Sequence, residues 1–247
     1  MDKLISKKEL FVILGSALIS AFSIGFNDKR PKFILELWFT SFILILILSV
    51  IATFIFVYIA KKYARRINVS TEITTWSIGR FAVAPSEYLK KPIYIGIGLP
   101  IIITIFSNGL VPFASALQNN LSYKLSHRLG KEYHRLTEFE TAKLSAIPSL
   151  VLTIIALFSI VLLPDDLAVK TALVFLVIAG TNMLPLPNLN GLVTFFGSPL
   201  LAMFSWTFMI VSAVLIWFIH PFLTFGLAVF LSIVVFLLYY YHMFVKK

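Results

Sequence analysis

Between Phe33 and Ala60 the chain runs for 28 residues with a single charged side chain, Glu36, close to its start. Similar apolar runs recur at Leu10–Phe26, Ile93–Leu117, Leu144–Leu163, Thr171–Pro187, Pro199–Ile219 and Phe222–Phe244, separated by short polar stretches. A helix crosses the ~30 Å apolar layer of a bilayer in roughly 20 residues. With 59% hydrophobic and 13% charged residues, a water-soluble core could not hide this apolar surface. The expected class is an all-α polytopic membrane protein, a single membrane domain over residues 1–247. The expected partner is the lipid bilayer. The net charge of +10 belongs with the basic loops of such proteins and carries no nucleic-acid signal. Absence of cysteine excludes disulfides, thiolate metal sites and thiol catalysis. The first apolar run is followed by the charged FNDKRPK rather than a cleavage site, so it reads as a retained helix.

Lysine and arginine positions constrain the topology. If Ile93–Leu117 enters and returns, breaking at Asn108-Gly109, one side carries 17 of the 21 basic residues and the other 4. If it crosses, the division is 11 against 10. The expectation is therefore six crossings plus a re-entrant hairpin over 93–117, with both termini cytoplasmic and the cell membrane as location. Ser70–Val83, STEITTWSIGRFAV, is β-branched and loosely alternating, and reads as a short strand or hairpin at the membrane surface. Gln118–Lys143 is charged and reads as a helix, Pro164–Lys170 as a tight acidic turn, and 199–244 as a C-terminal helical pair.

The stretch Thr181–Ser198, TNMLPLPNLNGLVTFFGS, interrupts this pattern. Pro185 and Pro187 withdraw backbone donors and break the helix. The freed carbonyls need protein or water partners, since lipid supplies none. Clustered amides on broken backbone at membrane depth mark a candidate site; a capped helix end followed by a turn is the equal alternative.

The same residues resemble the third core helix of site-2 protease-like zinc intramembrane metalloproteases, whose pattern is roughly N-x-x-P-x-P-x-L-D-G. Asn182, Pro185, Pro187, Leu189 and Gly191 match it, and the metal-binding aspartate falls on Asn190. Ala64-Arg65-Arg66-Ile67-Asn68-Val69 and Glu72-Ile73 are similar to the basic step and strand that follow the family's H-E-x-x-H. Counting back places that sequence on Phe56–Ala60, where neither the histidines nor the glutamate are present. Ala146-Ile147-Pro148 falls where the second core helix begins, Arg135–Glu140 is similar to its run-in, and Phe195–Ser198 also fits the group. The resemblance covers roughly Val50–Ser198, with 33–60, 144–163 and 171–187 as core helices.

Catalytic zinc needs about three protein ligands and an open position. Neutral Asn190 is a poor ligand for a dication, and none of the four histidines, His127, His134, His220 and His242, falls at the motif. His127, His134 and Glu138 could share a face of the expected 118–143 helix as a surface metal cluster, against the plainer reading of a solvated helix. The resemblance thus implies a pseudoprotease with no catalytic residues, metal or cofactor. It would bind a transmembrane or extended peptide segment through Asn182, Pro185, Pro187, Asn188, Asn190 and Gly191. Two alternatives stay open: an active zinc metalloprotease with unconventional ligands, and a small transporter or channel. Glu36 reads as interfacial. Lys61, Lys62, Arg65 and Arg66 form a basic cluster suited to anionic lipid. The four tryptophans read as packing or interfacial residues.

Overall fold

The computed structural model describes residues 5–27, 33–67, 69–80, 88–123, 126–128, 131–133 and 136–246. Among them are eight α-helices and three two-stranded antiparallel sheets. Helices α1 (Lys7–Gly25) and α2 (Leu35–Arg66) lie side by side. Strands β1 (Val69–Thr75), β2 (Ile78–Arg80) and β3 (Tyr88–Ile93) precede α3 (Ile95–Phe106). Strands β4 (Leu117–Tyr123), β5 (Ser126–Arg128) and β6 (Lys131–Tyr133) follow. Then come α4 (Glu138–Leu162), α5 (Asp165–Asn182), the short α6 (Asn190–Gly197), α7 (Pro199–Leu215) and α8 (Pro221–Tyr240), the last running into a π-helical turn.

Among the described residues, four helices are long and apolar enough to cross a membrane: Lys7–Gly25, Leu35–Arg66, Glu138–Leu162 and Pro221–Met243. Of the other expected crossings, α5 opens on Asp165 and Asp166 and contains Lys170, and α7 is 17 residues long. The packing has the pattern of a lipid-embedded bundle, in which close backbone approach replaces hydrophobic burial as the adhesive. Small residues line the contacts: Ser16, Ala17, Ser20 and Ala21 of α1, Ala142, Ser145, Ala146 and Ser149 of α4, and Thr224, Ala228 and Ser232 of α8 are buried. Large ones point outwards, Phe11, Ile47, Phe54, Phe218 and Phe230 among them. Buried hydroxyls bond back to the preceding turn, as Thr153 does to the Ser149 carbonyl at 3.0 Å.

The segment after α3 reverses at Asn108 and Gly109, both at positive φ. A side chain at Gly109 would meet Asn27 and Phe26, so the reversal is fitted against the end of α1. The returning limb is extended, and Ser115 Oγ donates to the Gly96 carbonyl at 2.8 Å. The two limbs therefore begin and end at the same level. Ser20 and Ser23 of α1 accept from the amides of Ser115 and Phe113, so the extended limb's donors are met within the protein.

Several expectations are corrected. Among the described residues of Gln118–Lys143 the first part is strand, not helix: β4, β5 and β6 lie within 117–133, and α4 starts at Glu138 behind a Thr137–Glu140 capping box. The β-branched β1 presents ladder groups that must be paired, and β4 pairs them in register from Val69↔Tyr123 to Thr75↔Leu117. His127 therefore lies in β5, opposite Glu132, and shares no helical face with Glu138; His134 lies outside the described residues. The expected strand over 70–83 is divided between β1 and β2, with 81–83 outside the described residues. Asp165 and Asp166 are no turn but the first turn of α5, where carboxylates suit the positive end of the helix dipole. That helix stops at Asn182, before the prolines rather than at Pro187. α2 continues two turns beyond Ala60 to Arg66, and Pro148 sits inside α4 rather than in its first turns.

Candidate functional site

The loop between α5 and α6, residues 183–189, carries the proline pair and is held from two directions, by the β ribbon and by α7. From the β ribbon, Trp76 Nε1 donates to the Pro187 carbonyl at 2.8 Å. Asn188, at φ 64°, donates to the Ser77 carbonyl at 3.1 Å. From α7, Trp206 Nε1 donates to the Met183 carbonyl at 2.9 Å. In α5, Asn182 is fully buried: its Oδ1 accepts from the Leu117 amide and its Nδ2 donates to Ile178, both at 2.8 Å. The adjacent Thr181 Oγ1 accepts from the Ala114 amide at 3.2 Å.

Asn190 opens α6 and is 2% exposed. Its Oδ1 accepts from Asn119 Nδ2 of β4 at 3.1 Å. Asn190 Nδ2 and Asn119 Oδ1 are buried without a hydrogen-bond partner among the described residues. Each such group costs about 1–3 kcal/mol, which marks this amide pair as the least satisfied point of the loop. Gly191 is set by contact, not by φ: a Cβ there would lie 2.0 Å from the Met183 carbonyl oxygen and 2.4 Å from that of Leu184. The loop folds back over the first turn of α6, and only glycine leaves room.

The hydrogen bonds of these asparagines run to neighbouring elements of the protein. Asn182 and Asn190 bind the returning limb and β4, and Asn188 binds the residue after Trp76. An amide can supply both donor and acceptor where prolines have broken the ladder, and here that capacity is used internally. Pro187 and Asn188 are exposed on the loop, and Pro185 borders a cavity. That cavity, about 450 Å³, opens between α5 and α7 and is lined by Leu176, Gly180, Met183, Pro185, Trp206 and Met209. Its wall is almost wholly apolar.

Trp76 of the ribbon and Trp206 of α7 both grip the loop, though from the sequence they read as packing or interfacial residues. The usable signal was indole chemistry: a buried Trp N–H needs an acceptor, and proline-freed carbonyls are the nearest unpaired ones. Sequence reasoning also missed Glu9 and Lys61. Glu9 is 3% exposed and pairs with Lys61 Nζ at 2.5 Å. Its carboxylate also accepts from the amides of Ser6 and Ile73 at 2.8 and 3.2 Å. This one group ties the start of α1, the end of α2 and the middle of β1 together. Lys61 is thereby withdrawn from the basic cluster expected on α2.

The positions that the resemblance assigns to zinc ligands do not suit the ion. Phe56–Ala60 contain no imidazole or carboxylate, and Phe56, Val57 and Ala60 are buried in the apolar core. The Asn190 oxygen is already occupied by Asn119. Among the described residues no three His, Asp or Glu side chains gather as a metal site. Comparisons with protein-family models, with curated proteins and with solved structures find no match for this chain.

Proposed function

We propose that the chain is a polytopic membrane protein related to the site-2 proteases that binds an apolar transmembrane segment without cleaving it. The groove between α5 and α7 would receive that segment beside the Pro185 backbone. The observation that carries this reading is the combination of the N-x-x-P-x-P-x-L-x-G frame, held rigidly by Trp76 and Trp206, with an amide at Asn190 where the family places a carboxylate. An apolar cavity of about 450 Å³ is within the range of specific binding pockets, and its lack of polar lining suits a hydrocarbon side chain or a helix segment.

The test uses the full chain in bilayers, with a photoreactive residue at Met209 and a model single-span peptide whose apolar run carries a Gly-Pro break. The expected result is a peptide adduct that Gly180→Leu removes, since Gly180 borders the cavity and has open space above its Cα. An adduct unaffected by Gly180→Leu would reject the groove. Stoichiometric zinc in the purified chain, removed by a chelator together with peptidase activity, would reject the non-catalytic assignment.

The same reading has six crossings, by α1, α2, α4, α5, α7 and α8, with α3 and its return limb as a re-entrant hairpin and both termini cytoplasmic. The absence of native cysteine makes this directly measurable. In intact cells, Asp165→Cys is expected to react with a membrane-impermeant thiol reagent, while Arg65→Cys and Lys246→Cys react only after permeabilisation. Labelling of all three in intact cells would overturn the topology.

A further inference from the structure

A second site lies at the far end of α2. Tyr58, Lys62, Arg65 and Arg66 line a pocket of about 320 Å³ on the outer surface of the helix. Lys62, Arg65 and Arg66 are exposed, and the Lys62 ammonium stands 5.7 Å from the centre of the Tyr58 ring. Lys61, the remaining cation of the run, is turned inward and neutralised by Glu9. Of the four basic residues in Lys61–Arg66, one is buried in the core and three are exposed around a concavity.

The face below the pocket is continuous with it. Ile47, Ile51, Phe54 and Tyr58 are exposed, and at spacings of four, three and four they stack on one side of the helix, in line with Lys62 and Arg65. One leaflet's hydrocarbon is about 15 Å deep, half of the ~30 Å apolar layer, or about ten residues of helix at ~1.5 Å each. Counted back from Lys62, that depth ends within one residue of Ile51. Three cations therefore cap an apolar stripe one acyl chain long, with a tyrosine at the junction where aromatic residues favour the headgroup boundary.

We propose that Tyr58, Lys62, Arg65 and Arg66 form a binding site for a lipid with an anionic phosphate headgroup, its acyl chain lying along Ile51 and Phe54. Arginine suits phosphate because its planar fork presents paired donors, and a lysine beside it adds a mobile point charge. The stripe selects a membrane lipid over a free phosphate, which would gain nothing from it. The inference rests on α2 crossing a bilayer and not on peptide binding at the α5–α7 groove, so either can fail alone.

The experiment is native mass spectrometry of the full chain released from nanodiscs containing phosphatidylglycerol and phosphatidylcholine. The chain is expected to retain phosphatidylglycerol in preference to phosphatidylcholine. Each basic residue near an anionic surface is worth roughly fivefold in affinity, so Lys62→Gln/Arg65→Gln/Arg66→Gln together should lower retention by about a hundredfold. Lys170→Gln, at the opposite end of the bundle, should leave it unchanged. Phe54→Asp, which keeps all three cations and places a charge in the acyl stripe, should also lower it. Equal retention of both lipids, retention unchanged in the triple variant, or displacement by inorganic phosphate as effective as by lipid would each overturn the assignment.

Discussion

Gly191→Ala is expected to disrupt the junction between α5 and α6. The added methyl would sit 2.0 Å from the Met183 carbonyl oxygen and 2.4 Å from that of Leu184, both backbone atoms with no rotamer to yield. Relief requires moving α6 away from the loop. The Met183 carbonyl is also the acceptor of Trp206, so the same shift breaks the link to α7. Overpacking in a tight core costs about 1–3 kcal/mol when side chains can adjust; with rigid backbone on both sides the upper end applies. That corresponds to a fall in Tm of about 6–12 °C for a chain of this size, read from the detergent-solubilised protein. Gly226→Ala in α8, where the new carbon meets nothing within 4 Å, is the control and should be neutral or slightly stabilising. An unchanged Tm for Gly191→Ala would mean that α6 does not lie against the loop.

The second large effect concerns the buried ion pair. Glu9→Ala leaves Lys61 enclosed without a counter-charge and strips the Ile73 and Ser6 amides of their acceptor. Removing one member of a buried pair costs about 3–5 kcal/mol. Lys61→Met alone should be comparably damaging, because it strands the carboxylate. Glu9→Gln/Lys61→Met together should recover most of the loss, since apolar or neutral replacement of a whole buried pair is often near neutral. The amide of Gln can still accept from Ile73 and Ser6. With Glu9→Gln as the matching single variant beside Lys61→Met, a double-mutant cycle gives the coupling. Additive losses would show that the two side chains act independently, and the joining of α1, α2 and β1 through one carboxylate would have to be abandoned.

The long apolar runs made α1, α2, α4 and α8 readable, because an uninterrupted hydrophobic stretch of this length has few other solutions. Asn108-Gly109 and His220-Pro221 were readable as reversals from the conformational preferences of those residues alone. The acidic start of α5 is readable in principle, since carboxylates after a proline are a helix-start signal, although the same short acidic stretch also fits a turn. The strand β4 was not. Its polar, uncharged sequence, LQNNLSY, carries only a weak alternation of its own, and what makes it a strand is the ladder of β1, dozens of residues earlier. Glu9 and Lys61 failed for the same reason. Each looks like an ordinary charge at a helix end until folding brings the two ends together. At the candidate site, the proline pair and Gly191 were recognisable as a broken, closely approached backbone. The use of the three asparagines was not, because a side-chain amide serves equally to hold a loop or to meet a ligand, and only its neighbours decide.

The returning limb and ribbon have a consequence for how the chain is made. Their fixing partners come late: the Leu117 amide waits for Asn182, the Ala114 amide for Thr181, and the Trp76 indole for Pro187, which are 65, 67 and 111 residues further along. During synthesis the chain up to Leu117 must leave the ribosome with these donors still lacking their final partners. The ribbon then has to stay at the aqueous boundary, or in the shelter of the insertion machinery, until α5 arrives to receive it.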